Sequence, residues 1–339
     1  MRISLGLVLL SVGVAGCGLV ASPAPPARPA GEMVAAAARG SFRWGEFDGR
    51  RYKLFAPSGV RGARPLVVML HGCTQDPDDF ATGTGMNALA AREGFYVLYP
   101  EQTLADQPKA CWRFYDPPHQ LRGMGEAAAI VGMVDRIRQA HAIDPGATYL
   151  AGLSAGGAYA AVMAALYPDR FAAVGIHSGL EYGVALNWVA AKLAMKVGGP
   201  DPLLAGGAAY LAMGLHRRVV PAMVVHGSRD EVVIPRNGEQ VVRQLLVMND
   251  WARDGLLNDD IDRTPDARRS GQVEGGYPYT RTVYADREGQ PVVEHVEVNG
   301  LGHAWSGGRA GGTYADAKGP DVTAWLWEFF KAHRRKALD

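Results

Sequence analysis

Five short runs in this chain are apolar on both faces, and helical patterns separate them. The runs are residues 66–70, 95–100, 148–152, 173–177 and 222–226. A strand half open to water alternates apolar and polar residues, so a strand lacking that alternation must be covered on both sides. The patterns at 86–92, 126–140, 155–166 and 236–246 supply the cover. Strands and helices in alternation imply βαβ units, right-handed crossovers, and a mostly parallel central sheet with helices on both faces. The expected fold class is therefore α/β.

Other segments complete this frame. Residues 41–56 alternate aromatic and polar side chains around Asp48-Gly49, a hairpin signal. A late hairpin is expected from 279–284 and 292–298, which flank turn residues 286–289. An amphipathic helix at 321–333 carries Trp325, Trp327, Phe329 and Phe330, read as core packing. Residues 186–219 read as helical material inserted between two strands, forming a wall over the site. Residues 255–276 are polar and contain glycine, and read as a long surface excursion.

The chain has 339 residues, with 35 Lys and Arg against 34 Asp and Glu. It shows no basic stripe, so a nucleic-acid partner is not expected, and bulk electrostatics do not capture the substrate. Met1-Arg2 precedes an apolar run at 3–15, the pattern of an export signal and too short for a comfortable membrane span. The run ends in Val14-Ala15-Gly16-Cys17, which resembles the lipobox of bacterial lipoproteins. The expected organisation is a signal peptide at 1–16, an Ala/Pro-rich tether at 17–40 and a catalytic domain at 41–335. The domain would be exported, outside the cell or in the periplasm, and held at a membrane by lipidation of Cys17. An ordinary secretory signal with an incidental Cys17 is the alternative.

Apart from Cys17, only Cys73 and Cys111 occur. They form a disulfide in an oxidising compartment, or else remain two buried thiols. No His-Glu-x-x-His run or Cys-x-x-Cys pair is present, so neither a metal nor another cofactor is expected.

The chemical signal is Gly152-Leu153-Ser154-Ala155-Gly156. The string alone is weak evidence, but it lies between an apolar strand and an Ala-rich helix. Such a strand–turn–helix can force an exposed nucleophile onto a sharp turn, where the helix N-terminus favours developing negative charge. A glycine-rich packing turn is the bland alternative. A serine hydroxyl needs a base, and His303 is the candidate among nine histidines. It lies beyond the late strand between glycines, whereas His295 sits mid-strand and His177 and His226 end strands. Asp230, in the loop leaving the 222–226 strand, is the candidate acceptor for the imidazole, with Glu231 as runner-up and a turn cap as the structural alternative. The backbone N–H groups of Cys73 and Ala155 are candidate oxyanion donors. A Cys73–Cys111 bridge would pin that loop to the Trp112 segment.

These motifs, in order, carry a resemblance. They are His71-Gly72-Cys73-Thr74-Gln75, Cys111-Trp112, Arg122-Gly123-Met124-Gly125-Glu126, Gly152-Leu153-Ser154-Ala155-Gly156-Gly157, His226-Gly227-Ser228 with Asp230, and Gly300-Leu301-Gly302-His303-Ala304-Trp305-Ser306-Gly307-Gly308. Over residues 42–330 the sequence resembles poly(3-hydroxybutyrate) depolymerase-type esterases, relatives of feruloyl and acetylxylan esterases. The resemblance implies an α/β-hydrolase fold, ester hydrolysis, and Ser154, Asp230 and His303 as nucleophile, acid and base. Secreted polymer-degrading members append a substrate-binding module, and here the chain stops shortly after the last helix. The expected substrate is thus a hydroxyalkanoate oligomer or short acyl ester rather than crystalline polymer. Trp112, Phe114, Tyr115 and Trp305 are candidate pocket walls or, equally, core. A feruloyl or acetylxylan esterase would use the same residues. A serine peptidase lacks a visible gating domain here, and a lipid-anchored binding protein without turnover is the rival of another class. Oligomeric state is not legible.

Overall fold

The computed structural model describes residues 40–335. The expected signal segment, Cys17 and nearly all of the Ala/Pro stretch lie outside the described residues.

Strands β1 (Gly40–Phe47) and β2 (Arg50–Pro57) form the first hairpin. Its turn residues Asp48 and Gly49 take φ 50° and 71°, the twist that a two-residue hairpin needs. There follow β3 (Arg64–Leu70), α1 (Pro77–Thr84), α2 (Met86–Glu93), β4 (Tyr96–Pro100), α3 (Gly125–Ala140), β5 (Ile143–Leu153), α4 (Ala155–Leu166) and β6 (Val174–His177). Next come α5 (Trp188–Val197), α6 (Pro202–Ala212), β7 (Ala222–Gly227), α7 (Pro235–Asp254), β8 (Ala267–Gln272), β9 (Pro278–Ala285) and β10 (Pro291–Val298). A small β11–β12 pair (Trp305–Ser306 with Ala315–Asp316) and α8 (Val322–Ala332) end the described chain.

Ten strands make one sheet in the order β1-β2-β4-β3-β5-β6-β7-β10-β9-β8. The run from β4 to β10 is parallel, and an antiparallel ribbon closes each side. Side chains leave the parallel strands alternately for two cores. Leu66, Val68 and Leu70 of β3 pack with Ile130 and Val134 of α3 and Val241 and Leu245 of α7. Val67 and Met69 pack on the other face with Phe80 of α1, Leu89 of α2 and Trp325, Leu326, Phe329 and Phe330 of α8. Burial on both faces is why these strands read as unbroken apolar runs. The α8 aromatics are core, with Phe330 stacked on Tyr149 at 4.7 Å between ring centroids.

Two expectations need correction. Residues 255–276 are not wholly a surface excursion, because they contain β8 on the outer side of β9. Helix α1 was not expected at all. It starts from Asp76, whose carboxylate accepts the N–H groups of Asp78 and Asp79, with Pro77 in its first turn. The 186–219 segment does supply helices, α5 and α6.

The chain goes from β3 outward to β4 and then returns to the other side of β3 as β5. The loops leaving β3 and β5 therefore diverge and open a crevice at the carboxyl ends of the strands, where such sheets place their sites.

Candidate active site

At the end of β5 the chain turns on Ser154, with φ 58° and ψ −120°, and enters α4 at Ala155. That backbone is strained for a residue with a side chain. The surroundings hold it. The Ser154 N–H donates to the His177 carbonyl at 2.9 Å. A Cβ on Gly152 would lie 2.3 Å from the Gly156 carbonyl, and one on Gly156 would lie 2.1 Å from the Leu70 carbonyl oxygen. Only glycines let strand, turn and helix pass so closely.

Asp230 sits in the turn after β7. Its Oδ1 accepts the N–H groups of Val232 at 3.0 Å and Val233 at 2.9 Å. Its Oδ2 accepts His303 Nδ1–H at 2.7 Å. The turn-capping reading and the imidazole-partner reading are both true of one carboxylate. Burial pushes this carboxyl upward, but the His303 hydrogen bond, the charges of His303 and His226, and the Val233 N–H together hold it below the ordinary aspartate value. Glu231 is exposed, and its carboxylate makes no hydrogen bond to a described residue.

His303 lies in the loop after β10. That loop is tied to the Asp230 turn by the Arg229 N–H, which donates to the Leu301 carbonyl at 3.0 Å. Donation through Nδ1 leaves Nε2 as the free ring nitrogen. Ser154 and His303 face the same cavity, of about 260 Å³, without a hydrogen bond between them. Such contacts often close only with substrate in place.

The other histidines beneath the site are structural. His177 Nε2 accepts the Ser306 N–H at 3.1 Å, and burial lowers its pKa to about 3. His226 donates from Nε2 to the Val233 carbonyl at 2.8 Å, and burial lowers its pKa too.

The loop after β3 carries Cys73, and a disulfide joins Cys73 to Cys111. Neither Cys73 nor Ala155 spends its N–H on a described acceptor. A network fixes this loop. His71 donates from Nδ1 to the Gly72 carbonyl at 2.8 Å and accepts the Gln102 N–H on Nε2 at 3.1 Å. Gln75 accepts the Gly72 N–H at 2.9 Å and donates to Asp79 and to the Thr313 carbonyl. Glu126, deeply buried, accepts from Gln102 Nε2 and the Arg113 N–H, each at 2.8 Å, and burial pushes its carboxyl up to about 7. His71, Gln75 and Glu126 were recognisable as motif members, whereas Asp79, Gln102, Arg113 and Thr313 were not singled out. Their bracing role was not legible.

The expected aromatic walls are corrected. Trp112 and Trp305 are 2% and 1% exposed and line no part of the cavity. The Trp112 indole N–H donates to the His71 carbonyl at 3.0 Å, and that of Trp305 to Thr323 at 2.9 Å. Phe114 and Tyr115 are likewise core. The cavity walls are instead Trp188 and Met195 of α5, Val232 and Tyr314. The only sequence signal for Trp188 was its place in the inserted segment.

A parallel sheet crossed at its centre by a glycine-flanked serine turn, with an Asp–His pair on later strand ends, defines the α/β-hydrolase fold. The acetyl xylan esterase of Aspergillus awamori shares it, with a TM-score of 0.70 at 19% identity over 86% of this chain and 100% of that one. The chain belongs to the Esterase PHB depolymerase family, whose model matches residues 50–273. It is 35% identical over 249 residues to poly(3-hydroxyalkanoate) depolymerase C of Paucimonas lemoignei, covering 73% of this chain and 56% of that one. It is 26% identical over 296 residues to the poly(3-hydroxybutyrate) depolymerase of Ralstonia pickettii, covering 83% and 56%. The chain thus spans little more than half the length of these depolymerases.

Proposed function

We propose that the protein is a serine esterase acting through an acyl-enzyme. The observation that carries this reading is the 2.7 Å bond from His303 to Asp230, which leaves the other ring nitrogen free beside the cavity that Ser154 lines. Ser154 Oγ attacks the ester carbonyl carbon while His303 Nε2 takes its proton. Asp230 keeps the ring in the required tautomer and stabilises the imidazolium. The N–H groups of Cys73 and Ala155 donate hydrogen bonds to the oxyanion as its charge develops. Collapse breaks the acyl–oxygen bond, and His303 returns the proton to the departing alcohol. Water, deprotonated by His303, then attacks the acyl carbon; collapse breaks the bond from that carbon to Ser154 Oγ, His303 returns the proton to Oγ, and the acid leaves.

The family supports hydroxyalkanoate esters, such as 3-hydroxybutyrate oligomers, or short acyl esters as substrates. The cavity, about 260 Å³, is at the small end of ligand pockets and suits a short acyl group. The export pattern and Val14-Ala15-Gly16-Cys17 support an exported, lipid-anchored enzyme.

Fluorophosphonate labelling and p-nitrophenyl butyrate turnover test the reading. Ser154→Ala should lose both, with turnover down by at least about 10⁴-fold. Labelling that persists in the variant would reject Ser154, and failure of the wild-type chain to label would favour a binding protein. Hydroxybutyrate oligomers, acetylated xylan and methyl ferulate assayed together separate the substrate classes.

A further inference from the structure

The cavity lining carries two cations, Lys109 and Lys192, and no carboxylate. Asp230, the acid partner of His303, has both oxygens engaged. Among the described residues neither lysine ammonium has an ion pair or a hydrogen bond. Lys53 pairs with Asp78, and Lys196, four residues after Lys192, donates to the Glu231 carbonyl. With a formal net charge of +1, the chain has no strong general field, so this is a local feature.

Both lysines stand on fixed backbone. The Lys109 carbonyl accepts the Thr74 N–H at 2.7 Å, and Cys111, two residues on, is bonded to Cys73. Lys109 is thus tied to the loop bearing the candidate oxyanion donor. Lys192 is one turn after Trp188 on α5, with its ammonium 6.0 Å from the centre of that ring. The two reach the cavity from different elements, above walls that are otherwise apolar at Trp188, Met195 and Val232.

We propose that Lys109 and Lys192 form an anion subsite for the free carboxylate at the end of a short oligoester. This rests on the esterase reading and narrows its substrate. In a linear oligomer of hydroxy acids, the last ester bond has on its alcohol side a hydroxy acid with a free carboxylate. Attack at that bond breaks the acyl–oxygen bond. The acyl carbon keeps the water's hydroxyl, and the alkoxide oxygen takes its hydrogen, releasing a hydroxy acid whose carboxylate the lysines hold. Acetyl groups on a neutral polysaccharide bring no charge to this place, and neither do ester bonds inside a long polymer. The subsite therefore favours chain ends.

The test uses the full chain carrying Ser154→Ala, so that ligand is bound and not consumed. Affinities for the linear 3-hydroxybutyrate dimer and for its methyl ester are measured by calorimetry. The acid should bind roughly threefold to tenfold more tightly, the range expected of two exposed ion pairs. The preference should fall toward one in Lys109→Gln/Lys192→Gln, and also between about 50 mM and about 500 mM salt, as screening shortens the reach of the charges. In the active enzyme the same ratio is read from kcat/KM, with p-nitrophenyl butyrate as the neutral reference. Equal affinities for acid and methyl ester, no measurable affinity for the acid, or a preference that survives loss of both lysines would overturn the subsite. Absence of turnover on every ester, with the binding preference intact, would overturn the esterase reading instead.

Discussion

Asp230 holds His303 with one carboxylate oxygen, at 2.7 Å, and its own turn with the other, through the N–H groups of Val232 and Val233. The imidazole is thereby oriented by a group that is itself immobile.

Asp230→Asn preserves the shape but presents an amide that no longer selects the Nδ1–H tautomer. Turnover should fall by about 10⁴-fold, with the fold retained by circular dichroism. Because the carboxyl titrates below its ordinary value in the fold, its stabilisation is complete above the normal aspartate range. It is lost only as pH falls through that lowered value. A variant within tenfold of wild type would remove Asp230 from the mechanism.

Replacing both bridged cysteines by serine keeps every backbone N–H but frees the β3 loop from the 111 segment. With a separation of 38 residues, the lost constraint amounts to about 4 kcal/mol, read as a lower urea midpoint. The kcat should also drop, by up to about 100-fold, with KM little changed, because the Cys73 N–H is no longer held in place. An unchanged kcat would show that the loop is rigid without the bridge.

Gly156→Ala tests the elbow. Its methyl would meet the Leu70 and His71 carbonyl oxygens at 2.1 and 2.7 Å, backbone atoms at the end of β3 and one residue beyond it. Destabilisation of at least about 3 kcal/mol is expected, measured by chemical unfolding. A nearly neutral effect would mean that β3 and α4 lie further apart.

Glu181 is buried, and neither oxygen has a described partner. Burial, helped by the charge of Asp201, pushes its carboxyl up to about 8. A raised acid favours the fold while protonated, so this contribution is full below the ordinary value of 4.5 and lost as pH rises through about 8. Glu181→Gln should therefore gain on wild type between about pH 6 and about pH 9, by on the order of 1–3 kcal/mol. His177, lowered to about 3, and His295, lowered to about 4, act in the opposite sense, costing stability as pH falls below 6.5. Equal urea midpoints for wild type and variant at both pH values would show that Glu181 reaches water.

The parallel strands were legible because burial on two faces erases polar alternation, as in Leu66–Leu70 and Ala222–Gly227. Strand β8 was not, since Ala267–Gln272 lies at the sheet edge with Arg268 and Arg269 exposed. It forms because β9 offers it an open row of partners. Ser154, Asp230 and His303 were singled out by turn chemistry and chain order, and the fold joins Asp230 to His303 and sets Ser154 and His303 on one cavity. Trp112 and Trp305 drew notice as motif residues and left wall and core equally open; the structure places both in the core, and only the path of the inserted helices puts Trp188 at the cavity. The bracing of Gln75 depends on Thr313, 238 residues away, which no local pattern reports.

The left-handed bend at Ser154 is maintained by neighbours on three sides, from β3, β6 and α4. Nothing in the serine itself prefers it, so any loosening of that packing lets the residue relax to an ordinary conformation. Function should then be the more fragile property. As urea rises, hydrolysis should fade at concentrations where the far-ultraviolet signal is still native, leaving an intact but silent molecule.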